Sequence, residues 1–91
     1  MRRDRAEVAI AFGNALRAAR LDAGLSQEEL AHRANVDRTF VSRAERGERQ
    51  PALATVLLIA RALGLQPGRL VNTTETLIAE ARTTYRVRRK S

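Results

Sequence analysis

The chain has 91 residues, with 17 Lys or Arg against 10 Asp or Glu, a formal net charge of +7, one histidine and no cysteine. That length supports one domain with a modest core, often completed by association, and the charge points to a polyanionic partner without saying which. Without cysteine there is no disulfide frame, thiolate nucleophile or Cys-based zinc site, and His32 alone builds neither a two-His metal centre nor a Ser-His-Asp triad. No apolar run approaches the roughly 18 residues of a membrane span, and VAIAF after the basic start is too short for a signal-peptide core. The expectation is a cytoplasmic, all-α protein with no metal, no cofactor and no enzymatic activity.

In chain order, the first helix is expected from Asp4 or Arg5 to Asp22, with Val8, Phe12, Ala15, Leu16 and Ala19 as its inner stripe and Gly24 as its stop. Leu25 then packs beneath the turn. Ser26 and Glu29 have the three-residue spacing of a capping box and open a second helix with Leu30, Ala31 and Ala34 as its apolar positions. Asn35 tolerates the left-handed conformation that ends a helix in a sharp turn, and Asp37 restarts the chain as an N-cap. The third helix turns Phe40, Val41 and Ala44 inward, which leaves Arg38, Thr39, Ser42, Arg43 and Arg46 on or beside its outward face, and Gly47 closes it.

After the loop Glu48–Pro51, a fourth helix is expected from Ala52 to Leu63, carrying Leu53, Val56, Leu57, Ile59, Ala60 and Leu63. These are too many apolar residues for one stripe. Leu58 is the excess one, facing either a partner subunit or a later helix. Gly64 stops this helix, and Pro67 stands in the first turn of a short fifth helix that turns Leu70 and Val71 inward. Asn72 and Glu75 form another plausible capping pair, so an additional C-terminal helix is expected to about Arg86, with Leu77, Ile78, Ala81 and Tyr85 on one face. That face either covers its own bundle or dimerises. Arg82, Arg86, Arg88, Arg89 and Lys90 make a basic end, and Arg2, Arg3 and Arg5 a basic start, each able to add phosphate contacts. The expected organisation is a domain over 1–71 with a helical extension and basic tail over 72–91.

The unit Gln27–Gly47, two short helices hinged at Asn35, has the layout of a DNA-reading helix-turn-helix. An Arg near a helix start can lay its guanidinium against the O6 and N7 acceptors of guanine, and Thr39 can hydrogen-bond a base or meet a thymine methyl. Sixteen of the 17 basic residues are Arg, which favours bidentate phosphate and base contacts. Phe12, Phe40 and Tyr85 are too few aromatics for the stacking typical of RNA readers, so duplex DNA is the better fit.

From about Phe12 to Val71 the sequence resembles the lambda-repressor-like, Cro/C1-type (XRE) helix-turn-helix regulators, in LSQEELA, in the Gly-Glu-Arg-Gln-Pro segment and in ALGL. The phrase VDRTFVSRAERG is also similar to the recognition region of controller proteins from restriction-modification systems. The resemblance implies a five-helix bundle acting as a homodimer, with recognition helices in successive major grooves of a pseudo-palindromic operator, as a repressor or autoregulatory controller. It places Gln27 on a phosphate, with Arg46, Arg49 and Gln50 against the backbone across the groove. Bases fall to Arg38, Thr39 and Arg43, with Ser42 in support. Asp37 either accepts from cytosine N4 or only caps, capping being the favoured reading. The family pattern also pairs Arg20 with Glu45 in a buried bridge. Dimer contacts fall to Leu58, or to Leu77, Ile78 and Tyr85. An antitoxin or a protein-protein adaptor on the same fold is the alternative, with a toxin or RNA polymerase partner left open.

Overall fold

The computed structural model describes the backbone of residues 2–90 and the side chains of residues 4–84. Among these residues there are five helices and no strand: α1 (Arg2–Asp22), α2 (Gln27–Ala34), α3 (Arg38–Glu45), α4 (Leu53–Leu63) and α5 (Pro67–Lys90). The all-helical bundle is therefore as expected, and no single helix in it is long and apolar enough to cross a membrane.

One device ends each of the first four helices. Gly24, Asn35, Gly47 and Gly64 adopt left-handed conformations with φ of 72°, 57°, 75° and 72°. The next residue's amide then reaches back, from Leu25 to the Arg20 carbonyl (3.1 Å), and at 2.9 Å from Val36 to Ala31, Glu48 to Arg43 and Leu65 to Ala60. The capping box at α2 is complete: Ser26 Oγ accepts from the Glu29 amide at 3.0 Å, and Glu29 Oε1 accepts from the Ser26 amide at 2.9 Å. Asp37 departs from expectation. It holds the extended N-cap backbone of α3, but its carboxylate makes no capping bond.

The core is Phe12 and Leu16 of α1, Leu25, then Leu30, Ala31, Ala34, Val41 and Ala44 of the helix pair, and Val56, Ile59, Ala60 and Leu70 behind them. Along α1 the buried face is wider and differently centred than the expected stripe. Ala9, Ala11, Phe12, Gly13, Ala15 and Leu16 are buried, whereas Val8 is 39% exposed. The reason is that α1 packs on two sides, against α3 and α5. Where it crosses α3, a Cβ on Gly13 would lie 2.4 Å from the Ala44 carbonyl oxygen, so close approach selects the smallest residue and not the greasiest one.

The expected fifth helix and the additional C-terminal helix are one continuous helix, α5, which passes through 71–72 without a break. Asn72 and Glu75 therefore start nothing, and no Gly or Pro lies between Arg69 and Lys90 to interrupt the ladder. Among its described side chains Leu70 and Thr74 are buried, and Thr74 satisfies its hydroxyl by donating to the Leu70 carbonyl at 2.8 Å. Val71, expected inward, is 46% exposed, because the α5 face turned to the bundle runs through Leu70, Thr74, Leu77 and Ile78 at helical spacing.

Candidate nucleic-acid interface

The recognition helix α3 is two turns long, and its orientation is fixed from behind. Val41, Ala44 and Glu45 are buried, which turns Thr39, Ser42, Arg43 and Arg46 out as a stripe with Arg38 beside it. Arg38, Thr39, Arg43 and Arg46 are exposed and Ser42 is half-buried. Among the described residues, Arg38 and Arg43 make no ion pair.

The brace behind the helix is the expected Arg20–Glu45 pair. Arg20 Nε donates to Glu45 Oε2 at 2.6 Å and a terminal guanidinium nitrogen to Oε1 at 3.0 Å, while the other reaches the Leu25 carbonyl at 2.9 Å. Both side chains are nearly sealed, and the hydrogen bonds that Arg20 donates to Glu45 raise the Arg20 pKa above its ordinary value. Gln27 Nε2 donates to the same Glu45 Oε1 at 3.1 Å. One carboxylate on α3 thus gathers donors from α1 and from the first turn of α2. Gln27, expected on a phosphate through its amide and the helix dipole, has its side chain in this network and its backbone amide at the positive end of α2.

At the far end of α3 the charges are arranged differently from the expected clamp. Arg46 Nε donates to Glu48 Oε2 at 2.8 Å and a terminal nitrogen to Oε1 at 3.3 Å, while its other terminal nitrogen donates to Ser42 Oγ. The hydrogen bond from Arg46 is the main cause of a Glu48 carboxyl pKa below the ordinary range, and the charge of Arg43 adds to it. Arg46 is therefore locally neutralised, and Ser42 is engaged on one side. Sequence reading missed Glu48 altogether, although an acid two residues after an Arg at a helix end was the available signal. Arg49 stands with its guanidinium carbon 5.9 Å from the centroid of the half-buried Phe40 ring, and Gln50 is exposed beside it.

The residues assigned to dimerisation divide. Leu58 is exposed on α4 together with Leu53 and Leu57. Leu77 and Ile78 are half-buried and line a shallow groove of about 450 Å³ with Ile10, Ala11 and Asn14 of α1, so part of their surface is already covered within the chain. Arg82, read as part of a basic tail, is tied to Glu7 of α1 at 2.7 Å. The side chains of Tyr85, Arg86, Arg88, Arg89 and Lys90, like those of Arg2 and Arg3, lie outside the described residues. His32 is exposed on α2, and among the described residues no group of acidic and His side chains could hold a metal ion.

A short helix braced by a buried ion pair, with an arginine-rich stripe turned to solvent, defines a helix-turn-helix DNA-binding domain. The helix-turn-helix family model matches residues 16–70, and the chain belongs to that family, in its Cro/C1-type (XRE) branch. It is similar to the immunity repressor protein of Bacillus phage phi105, at 37% identity over 80% of this chain and 50% of the repressor. It is also similar to the control protein C.BamHI of Bacillus amyloliquefaciens, at 38% identity over 74% of this chain and 84% of that protein. The chain thus spans half the length of the phage repressor. Among solved structures, the clp gene regulator ClgR of Corynebacterium glutamicum superposes with a TM-score of 0.86 at 26% identity, covering 90% of this chain and 87% of that one.

Proposed function

We propose that the chain is a sequence-specific, duplex-DNA-binding transcription regulator that acts as a homodimer on a pseudo-palindromic operator, as a repressor or autoregulatory controller. The observation that carries this reading is the stripe Thr39, Ser42, Arg43 and Arg46, with Arg38 beside it, on a recognition helix that Arg20 and Glu45 hold rigidly to the bundle. Arg38, Thr39 and Arg43 read base edges in the major groove, with Ser42 in support. The Gln27 amide, Arg49 and Gln50 hold phosphates and set register. The exposed Leu53, Leu57 and Leu58 of α4 supply an apolar face for the second subunit, and Leu77 and Ile78 supply the edge of another. The functional division is a DNA-binding domain over 1–71 and a C-terminal helical extension with a basic tail over 72–91, working in the cytoplasm as a binder with no chemistry of its own.

Selection of bound duplexes from a random pool tests this directly. The expected product is a two-fold symmetric site with half-sites separated by roughly one helical turn, about 10 bp. Enrichment of no sequence, with binding set by salt alone, would overturn it in favour of an adaptor on the same fold.

A further inference from the structure

We infer that Glu48, acting through Arg46, makes Ser42 a hydrogen-bond donor to the bases, so that the C-terminal half of the recognition helix selects an acceptor edge and disfavours cytosine. This rests on the regulator reading above and sharpens it to one position of the site.

Three observations meet at Ser42. The guanidinium of Arg46 grips the Glu48 carboxylate with two nitrogens and donates to Ser42 Oγ with the third, so the three side chains form one chain of hydrogen bonds. Among the described residues the Ser42 proton has no acceptor, unlike the hydroxyls of Thr74 and Thr83, which donate back to the carbonyls of Leu70 and Ala79. The hydroxyl also lies on the outward stripe, between Thr39 and Arg46.

A hydroxyl has one proton and two lone pairs, and an unconstrained serine serves either kind of base edge. Here a cation occupies one lone pair and polarises the O–H, which strengthens it as a donor and weakens it as an acceptor. Adenine N7, guanine N7 and O6, and thymine O4 can all receive that proton, whereas cytosine presents only its N4 donor in the major groove. Glu48 is thus a positioning residue. Its carboxylate holds Arg46 over Ser42 and keeps the guanidinium from swinging out to a phosphate, which also removes Arg46 from the backbone-clamping set.

The test is the base profile selected from a random duplex pool by the wild-type chain and by Ser42→Ala, Glu48→Ala and Glu48→Asp. The wild type is expected to deplete cytosine at one position of each half-site by about three- to tenfold, a single hydrogen bond discriminating less than a bidentate pair. Ser42→Ala should erase that depletion, Glu48→Ala should reduce it at the same position while leaving the positions read by Arg38 and Arg43 intact, and Glu48→Asp should restore part of it. Equal tightening on every sequence by Glu48→Ala would show a simple charge effect and overturn the inference. So would a cytosine depletion that survives Ser42→Ala. A wild-type pool with no enriched sequence would overturn the regulator reading itself, and this inference with it.

Discussion

Arg38 and Arg43 stand exposed without ion-pair partners among the described residues, so each is available for a bidentate guanine contact. Replacing either with Ala is expected to weaken cognate binding by about 1 to 3 kcal/mol and relax preference at one base pair, in fluorescence-anisotropy titrations against cognate and scrambled duplexes. Equal losses on both duplexes would remove that residue from the reading set. Arg49→Ala should instead weaken all sequences alike and make the salt dependence shallower by about one unit, whereas Arg46→Met, removing a cation already matched by Glu48, should leave the slope nearly unchanged. Behind the helix, Glu45→Ala strands Arg20 without its carboxylate partner, and the expected loss in a urea titration is about 3 to 5 kcal/mol.

Among the elements, the helix ends and their crossings have different origins. The capping box of α2 is a local device with a pH signature. Hydrogen bonds from Ser26, the backbone amide first, hold the Glu29 pKa below 4.5, so the contribution of this carboxylate is fully present above the unfolded value and fades as pH falls through the lower folded one. Glu29→Gln should flatten the acid limb of an unfolding titration below about pH 4.5, and an unchanged limb would show that the carboxylate does not contribute. The α1–α3 crossing is non-local. Gly13→Ala would push a methyl into the backbone of Ala44 and Glu45, with an expected thermal-denaturation loss of about 1 to 3 kcal/mol despite the better helix propensity of alanine. The three glycine stops, Gly24, Gly47 and Gly64, and Asn35 were legible in the sequence, because a left-handed residue is required at one position and few side chains accept it. Gly13 was not, since only the approach of α3 gives its missing side chain a purpose.

The whole molecule is a helix-turn-helix unit held between α1 and α4, with α5 laid along α1 and fastened by Leu77, Ile78 and the Arg82–Glu7 pair. That pair is exposed and contributes little by itself, so the packing of α5 rests on its apolar face. This attachment shifts the expected dimer surface toward α4. Leu58→Glu is expected to give monomers in analytical ultracentrifugation, and a dimer that survives it but is lost with Ile78→Glu would put the interface on α5 instead. The sequence by itself determined the helical class, the stops, the capping box and the residues of the recognition stripe, because each follows from near-neighbour geometry or from spacing along one helix. Only the tertiary structure decided that Gln27 joins the Arg20–Glu45 network and that Arg82 pairs with Glu7. Whether a polar side chain is available to DNA depends on which groups the fold brings within about 3 Å of it, a hydrogen-bonding distance set by three-dimensional packing.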